Sequence, residues 1–466
     1  MHPLQTLRSL VATLALIPAA AGGQTVRPLA GGAPPGIDAA VRRAVIDSTA
    51  VALERGYVDA DTGRRIASHL RRRLRDGAYD ARTDPTAFAL AVTTDLKAIN
   101  GDEHLFLQWG GGMPSAGPVP VMMPPGGAPP GAGPVPVMVP PDRAPGVGPA
   151  PMMPTAGTAE RRINHGLRKL EVLPGNIGYL VVDEFAGGDG VADAIAGALR
   201  FLERTDAIIM DVRNNRGGHG EMSHQLFSHF LPATPVPTIR VRDRVRGVDE
   251  ILRSDSVVPG PRRTDVPLYV LTSRATVSAA EEFAFVLQRL QRATLVGERS
   301  LGAGHMNTIA PVGHGFMLSV SFARVSDPVT GAEWEQVGVR PTIDVPPSVA
   351  LEVAQAHALR TIASRIDDPM RVMQLRGQAE VMDARVAGQP TPPAVLASAP
   401  GRYTGGRLVE AVGTALWYTG LNGQRTELVA LPDAWFALGD QRVRFDGDRM
   451  VVRRPDGSTY EFSRIR

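Results

Sequence analysis

The segment LYVLTSRATVSAAEEFA, Leu268–Ala284, decides the fold of this chain and contains its leading candidate for chemistry. Its first four residues are apolar, which is typical of a strand buried on both faces of a sheet. A short loop follows, and a helix is predicted to begin at Ser278. In α/β sheets, ligands bind beyond the carboxyl ends of the strands. The segment therefore predicts an α/β domain with Ser278 at the edge where ligands bind.

Ser278 has two interpretations on this segment alone. Ser278 followed three residues later by Glu281 forms a capping box, a common way to begin a helix. Alternatively, Ser278 is a nucleophile, because the unpaired N–H groups of the first helical turn can stabilise an oxyanion. Capping boxes are common, so the segment by itself favours the cap.

A second segment, DVRNNRGG, covers residues 211–218 and also follows an apolar strand. Its paired glycines, Gly217 and Gly218, allow the backbone to approach a substrate closely and expose N–H groups. A purely structural turn is the commoner explanation of such a pair. The segment alone therefore leaves a binding role open.

Residues 161–350 show apolar strands that alternate with amphipathic helices, the pattern of a sheet covered by helices on both faces. We expect a mixed sheet with helices here. The predicted strands are Gly178–Val182, Ala207–Val212, Leu268–Leu271, Thr294–Val296 and Phe316–Phe322, and the predicted helices are Val191–Leu202, Glu221–Phe230 and Ala279–Leu290.

The N-terminal part of the chain, residues 37–109, is predicted to be a small three-helix domain. Apolar residues recur there at helical spacing. The third helix begins at Asp84-Pro85, an N-cap followed by proline at the first helical position. A loop that contains Asp102, Glu103 and His104 is expected after this helix.

Three further segments complete the predicted organisation. Residues 110–160 are rich in Pro, Gly and Met, which favours an extended linker, with a docking strip for a partner as the alternative. Residues 351–390 are predicted to be a helical extension. Residues 398–466 contain short alternating runs joined by Asp-Gly turns, which predicts a small antiparallel β-domain.

Composition excludes several classes of function. The chain of 466 residues contains no cysteine, so thiol catalysis, zinc–thiolate sites and disulfides are excluded. A net charge of +3 is small for this length, and we expect no nucleic-acid partner. The three histidines His219, His224 and His229 are five residues apart, which spreads them around a helix, so we predict neither a metal nor a cofactor.

The N-terminus resembles a secretory signal peptide. Arg8 precedes an apolar run from Leu10 to Ala21, and small residues follow. The run is too short to span a membrane, and no later stretch reaches that length. We therefore expect residues 1–23 to be a signal peptide, and the protein to be exported to the periplasm or the extracellular space.

Taken together, the ordered motifs resemble the tail-specific, or C-terminal-processing, serine peptidase family. The similar branch is the one that contains interphotoreceptor retinoid-binding protein and the core of the tricorn protease. The likeness covers residues 161–350 and extends to the helices before His104. It implies that the predicted mixed sheet is of the ClpP/crotonase type. The motifs are RKLEVLPGNIGYL (Arg168–Leu180), DVRNNRGG, LYVLTSRATVSAAEEFA, ATLVGE (Ala293–Glu298) and GAEWEQVGVRP (Gly331–Pro341).

The resemblance implies a role for each matching residue. Ser278 corresponds to the family's nucleophile, and the N–H groups of Ala279 and of Gly217 or Gly218 correspond to its oxyanion hole. In the tricorn-like branch, His104 corresponds to the general base and Glu335 to the glutamate that completes the tetrad. Polypeptides are the substrates that the family implies.

Lysine usage favours this branch over the one with a Ser/Lys dyad. A dyad requires a desolvated lysine near the nucleophile, and Ala303 occupies the position that the resemblance gives to that lysine. Lys97 and Lys169 are the only lysines in the chain. Neutral imidazole titrates near working pH, which suits His104 to accept the proton of Ser278.

One position departs from the family pattern. The tricorn-like tetrad has a hydroxyl residue immediately before its histidine, and here that residue is Glu103. Either Glu103 or Asp102 is therefore a candidate to orient the His104 ring, and His305, after the GAG triplet, is a candidate to line the cleft.

Two alternative functions stay open. Because the retinoid-binding relative is a carrier, the first alternative is a non-catalytic protein that binds hydrophobic ligands. The second is a degraded peptidase that binds proteins.

The signal-peptide interpretation makes the first testable prediction. Expression of the whole chain in a secreting bacterial host should give a mature protein that begins after Ala21 or Gly23, because small residues follow the apolar run there. N-terminal sequencing of the purified protein measures this. A mature protein that still begins at Met1 would contradict it.

Overall fold

The computed structural model of the protein describes residues 36–110 and 163–465. The predicted signal peptide, residues 1–23, and all but one residue of the predicted linker, residues 110–160, lie outside the described residues. In the described ranges, no helix is both long enough and apolar enough to cross a membrane.

A six-stranded mixed sheet forms the centre of the molecule, as the apolar strands predicted. The strand order is β11-β8-β7-β4-β3-β2; β2 runs antiparallel to β3, and the other neighbours are parallel. The strands are β2 (Leu167–Leu173), β3 (Ile177–Val182), β4 (Ala207–Asp211), β7 (Leu268–Thr272), β8 (Thr294–Gly297) and β11 (Ile343–Asp344).

Helices cover both faces of this sheet because alternate side chains of each strand point to opposite faces. Leu180 and Ile208 belong to one apolar cluster, which also contains residues of three helices. Tyr179 and Ile209 belong to the cluster on the other face, with residues of the two helices that follow the sheet. The helices are α4 (Val191–Phe201), α5 (Gly220–Ser228) and α6 (Ala279–Arg289) on the first face, and α7 (Ala350–Ala363) and α8 (Pro369–Ala387) on the second.

A second, antiparallel sheet was largely missed by the sequence analysis. Its order is β1-β10-β5-β6, and β9 also pairs with β10. The sequence predicted only β10 of these strands and assigned it to the central mixed sheet, which the structure corrects. The alternation in β5 is limited to Ile239 and Val241, each followed by an arginine, and β6 lacks the alternation that indicates a strand. The strands are β1 (Phe106–Trp109), β5 (Pro237–Asp243), β6 (Val248–Arg253), β9 (Met306–Gly313) and β10 (Phe316–Ser326).

The three predicted N-terminal helices are present: α1 (Ala39–Gly56), α2 (Ala60–Arg75) and α3 (Pro85–Lys97). Asp84 caps α3 by accepting the N–H of Ala87 at 2.7 Å, and Pro85 is the first helical residue, as expected. The helices pack on the antiparallel sheet rather than forming a separate core. Their apolar cluster includes Phe316 and Leu318 of β10, so the loop after α3 is held against the central part of the chain.

The C-terminal segment is antiparallel, as predicted, and its eight strands close into a small barrel. Tyr403, Leu416, Phe436 and Met450 fill the interior. Closure leaves no free sheet edge. Helix α9 (Pro393–Ser398) precedes the strands β12 (Gly401–Tyr403), β13 (Arg407–Val412), β14 (Ala415–Thr419), β15 (Arg425–Ala430), β16 (Phe436–Leu438), β17 (Gln441–Asp446), β18 (Arg449–Arg453) and β19 (Thr459–Ile465).

A substitution of Phe88 in α3 would test how the N-terminal helices pack on the antiparallel sheet. Its ring is fully buried and lies edge-on to Tyr79 at 5.6 Å and to Phe316 at 5.5 Å. Phe88→Ala should lower the free energy of unfolding by about 3–5 kcal/mol because it leaves a cavity. Leu90→Ala, on the same helix but 69% exposed, is the matched control and should change it by less than about 0.5 kcal/mol.

Denaturant unfolding followed by tryptophan fluorescence measures both variants. We expect one transition for the helices and the sheets together, because they share an apolar cluster. A separate early transition of the helices in the wild type, or a loss below about 1 kcal/mol in Phe88→Ala, would contradict this packing.

Candidate active site

Ser278 lies between β7 and α6 in a strained backbone conformation. Its φ is 55° and its ψ is −121°, outside the regions that L-residues favour. An ordinary N-cap residue has β-region angles, so Ser278 is not an ordinary cap. Such strain costs about 1–3 kcal/mol and clusters at active sites. A sharp turn between a strand and a helix is also how α/β-hydrolases expose their nucleophilic serine.

Glu281 holds this turn. Its carboxylate accepts the N–H of Ser278 at 2.9 Å, which is one half of the predicted capping box. It also accepts the Ser300 hydroxyl at 2.5 Å and the N–H groups of Gly302 at 2.6 Å and Ala303 at 2.8 Å. The side chain is fully buried, and burial raises the pKa of Glu281 in spite of these donors. Glu281, which the sequence predicted only as part of a capping box, therefore joins the Ser278 turn to the loop that contains Gly302 and Ala303.

The glycine pair lies directly against Ser278. A Cβ atom on Gly217 would lie 2.8 Å from Cβ of Ser278, so this approach requires glycine. The N–H of Gly217 donates to the Asn215 side chain at 2.8 Å and is therefore occupied. The N–H groups of Gly218 and Ala279 are absent from the backbone hydrogen bonds of the described residues. Those two N–H groups are the ones available for an oxyanion.

His104 lies in the loop between α3 and β1. Its backbone N–H donates to Asp102 Oδ1 at 2.9 Å, and its ring Nδ1 is buried without a partner among the described residues. Burial lowers the pKa of His104 to about 4 against the attraction of Asp102, so the imidazole is neutral at physiological pH. No hydrogen bond joins this ring to Ser278 in the described part of the chain. Catalytic hydrogen bonds are often long in substrate-free sites.

Asp102, His305 and Glu335 form a compact buried cluster beside His104. His305 Nδ1 lies 3.2 Å from Asp102 Oδ2 and 3.6 Å from Glu335 Oε2. The exposed fractions of the three side chains are 0%, 6% and 7%. Tyr57 donates its hydroxyl to Asp102 at 2.8 Å. Residues from three distant parts of the sequence therefore meet at one point.

The charges in this cluster depend on one another. Burial works to raise the pKa of Asp102, but the hydrogen bond and the charge of His305 outweigh it and hold this pKa at about 2. Burial raises the pKa of Glu335 to about 7 against the attraction of His305. For His305 itself, burial works to lower the pKa, while the hydrogen bond to Asp102 and the charge of Glu335 raise it above its usual value.

Glu103, a candidate to orient His104, pairs instead with Lys97. Lys97 Nζ lies 2.6 Å from Glu103 Oε2, and both side chains are partly exposed. Asp102, the other candidate, is the carboxylate that binds the His104 loop. Oε1 of Glu335 is buried without a partner among the described residues, while Oε2 accepts the N–H groups of Gly304 at 2.6 Å and His305 at 3.0 Å.

Sequence reasoning missed two parts of this arrangement. Asn215, which is fully buried, ties the glycine loop to Val182 through its side chain at 3.0 Å and to Val277 through its backbone at 3.0 Å. His305 was expected at most to line the cleft, yet it lies between two carboxylates. The only indication of His305 in the sequence is that a histidine follows the GAG triplet. This pattern does not indicate which residues the histidine contacts.

Asp102, His305 and Glu335 are also of the residue types that bind divalent metals. Their potential ligand atoms all lie within 4.8 Å of one another. The same atoms already satisfy one another as ion pairs and accept further N–H and O–H donors. A protonated His305 can therefore balance the charges of the two carboxylates, as a metal ion bound by the three side chains would.

Comparisons with known proteins identify the central part of the chain. Residues 176–345 match the sequence profile of peptidase family S41. A carboxyl-terminal-processing protease of Synechocystis sp. is 33% identical over 155 residues, which are 33% of this chain and 34% of that protein. The carboxy-terminal processing protease CtpB of Bacillus subtilis is 25% identical over 173 residues, which are 36% of this chain and 34% of that protein.

Among solved structures, a photosystem II D1 C-terminal processing protease is 26% identical with a TM-score of 0.32, over 38% of this chain and 45% of that chain. The chain thus spans about a third of the length of the two curated relatives. The matched region contains Ser278, the glycine pair, His305 and Glu335, whereas His104 lies before it. Residues 176–345 therefore match peptidase family S41, the family that the ordered motifs of the sequence resemble.

Proposed function

We propose that the protein is a serine peptidase that cleaves polypeptides through an acyl-enzyme on Ser278. The observation that carries this proposal is the strained backbone of Ser278, with the backbone of Gly217 packed against it. A helix cap alone does not need such a conformation, because a cap residue in the β region serves as well. A nucleophile needs it because the turn exposes the hydroxyl.

In the proposed first step, neutral His104 accepts the proton of the Ser278 hydroxyl while the oxygen attacks the peptide carbonyl. The carbonyl oxygen becomes an oxyanion, which the N–H groups of Gly218 and Ala279 bind. His104 then donates the proton to the leaving amine, the C–N bond breaks, and an acyl-enzyme remains. Water, deprotonated by the same imidazole, hydrolyses the ester and releases Ser278.

The carboxylates are given supporting roles in this proposal. Asp102 binds the backbone of His104 and is the nearby negative charge that favours its imidazolium form. Glu335 completes the tetrad at a distance from His104, through the cluster that contains Asp102. Glu103 is left on the surface with Lys97 and has no step in the reaction.

Three finer expectations are part of this proposal. The mixed sheet with helices on both faces is compatible with the ClpP/crotonase type that the sequence suggested. Export to the periplasm or the extracellular space is supported by the signal-like residues 1–23, which the N-terminal sequencing described above tests. We also propose polypeptides, and no nucleic acid, as partners.

The alternative function, a carrier of hydrophobic ligands, has less support. One groove in the described residues lies between α8 and the barrel, and its lining mixes apolar side chains such as Leu431 and Trp435 with charged groups, among them Glu380, Asp383, Arg442 and Arg453. Burying these charged groups under an apolar ligand would cost free energy, which counts against such a ligand in this groove. The carrier interpretation predicts a protein whose Ser278 resists serine-directed probes.

Ser278→Ala is the direct test of the nucleophile. It should abolish labelling by a fluorophosphonate probe and slow hydrolysis of an unstructured peptide by about a thousandfold or more. The rate of peptide hydrolysis should fall by a similar factor in His104→Ala and by a smaller factor in Glu335→Gln. Loss of even a capping hydroxyl costs only about 1 kcal/mol, and Glu281 holds this turn through the backbone N–H of residue 278, so the Ser278→Ala variant should remain folded.

Ser364→Ala is the matched control for this test, because its hydroxyl at the end of α7 donates to the Thr361 carbonyl and touches no proposed catalytic group. It should label like the wild type. A folded wild-type protein that resists the probe and hydrolyses no peptide would overturn the proposal and favour the carrier.

The proposed oxyanion hole makes a separate prediction. Gly218 has a φ of +125°, and a Cβ atom there would lie 2.2 Å from the Phe185 carbonyl oxygen. Gly218→Ala should therefore displace this N–H group and lower kcat by about a hundredfold to a thousandfold. In Gly220→Ala, the added Cβ meets nothing closer than 3.9 Å, and kcat should stay within about twofold.

Peptide hydrolysis by both glycine variants measures this, with near-ultraviolet circular dichroism as the check on folding. A folded Gly218→Ala variant with wild-type kcat would show that the N–H group of residue 218 is not part of the oxyanion hole.

A further inference from the structure

Residues 302–305 connect the two halves of the proposed site, and their first two residues bind the nucleophile side. The N–H groups of Gly302 and Ala303 donate to Glu281 at 2.6 and 2.8 Å. The same carboxylate accepts the N–H of Ser278. Any movement of this segment is therefore transmitted to the turn that presents the nucleophile.

The last residue of the segment, His305, binds the base side. Its Nδ1 lies 3.2 Å from Asp102 Oδ2, while Asp102 Oδ1 accepts the backbone N–H of His104. Its own backbone N–H donates to Glu335 at 3.0 Å. Asp102 is otherwise held by the Tyr57 hydroxyl. His305 thus contacts the two carboxylates that surround the proposed base.

Burial explains why a histidine is needed at this point. Asp102 and Glu335 are two carboxylates in a water-poor site, and each disfavours the charge of the other. A cation between them relieves this repulsion, and a buried charge requires such a partner. His305 is in contact with both. The nearby Arg324 pairs instead with Glu333 at 3.2 Å.

We propose that His305 is a positioning residue of the peptidase: by binding Asp102 and Glu335 together, it fixes the loop that presents His104 and joins that loop to the turn of Ser278. This inference rests on the proposed function. It assigns to His305 the link between the His104 loop and Glu335, whereas Glu103 and Asp102 were the candidates to orient the His104 ring.

Three substitutions of His305 test the role. His305→Ala removes the ring, and His305→Gln moves the amide away from the position of Nδ1. His305→Asn keeps an N–H donor close to that position and can still bind Asp102. We expect His305→Ala and His305→Gln to lower kcat at least about tenfold, part of the 10²–10⁴-fold that a general base supplies. KM should change less than about twofold, and His305→Asn should recover several-fold of the lost kcat.

His229→Asn is the matched control. His229 is also buried, and its Nδ1 bonds to the Pro261 carbonyl oxygen at 2.9 Å, outside the proposed site. It should lower the unfolding midpoint and leave kcat unchanged. If His305→Ala does not fold, the comparison of His305→Asn with His305→Gln still tests the proposal.

The pH profile gives a readout that a merely structural role would not move. The groups that face His305 are Asp102, Glu335, His104 and Arg324. The positive charge of His305 lowers the pKa of His104 and of Glu335. In the neutral variant His305→Asn both pKa values should rise, so the acid limb of kcat/KM should move to higher pH than in the wild type.

The outcomes separate this proposal from the proposed function. A wild type that the fluorophosphonate probe does not label refutes the peptidase itself. A labelled wild type, with His305→Ala labelled at the same rate and with the same pH profile, refutes only the positioning role. Wild-type activity that EDTA abolishes and Zn²⁺ restores would make the cluster a metal site and would also overturn the role of His305.

Discussion

The buried carboxylate of Glu281 is the contact on which the geometry of the site depends. A carboxylate without water must find donors, because leaving it unsatisfied costs several kcal/mol. It finds them in the Ser278 turn and in the loop of Gly302 and Ala303. The strained angles of Ser278 persist because these hydrogen bonds over-determine the turn. Glu281, which in the sequence marks only an ordinary helix start, therefore holds the turn of the proposed nucleophile in place.

The same loop brings together parts of the molecule that the sequence keeps far apart. Strands β9 and β10 form a long antiparallel hairpin, and β10 also pairs with β1 beside the helical N-terminus. This pairing brings the Asp102 loop to His305. The N-terminal helices are therefore a wall of the site as well as a neighbouring unit, since their apolar cluster includes β10.

Electrostatics in the site follow from burial. His104 is kept neutral because its ring is desolvated, and a neutral imidazole is the form that accepts a proton. Asp102 stays ionised because His305 faces it, and Glu335 is raised to a pKa of about 7 because its burial outweighs the attraction of His305. Asp102, His305 and Glu335 titrate as one network, since each of these side chains lies within about 4 Å of another.

The sequence by itself determined the apolar strands of the central sheet, the helix that begins after Ser278, the three N-terminal helices and the likeness of residues 176–345 to peptidase family S41. These features are local, because periodicity and motif order are written in consecutive residues. The antiparallel sheet and the closure of the barrel escaped prediction, since strand pairing joins distant residues. The backbone angles of Ser278, the occupied N–H of Gly217 and the place of His305 between two carboxylates were likewise decided only by the tertiary structure. Hydrogen-bond partners and desolvation depend on which distant residues meet, and neither can be read from residue spacing along the chain.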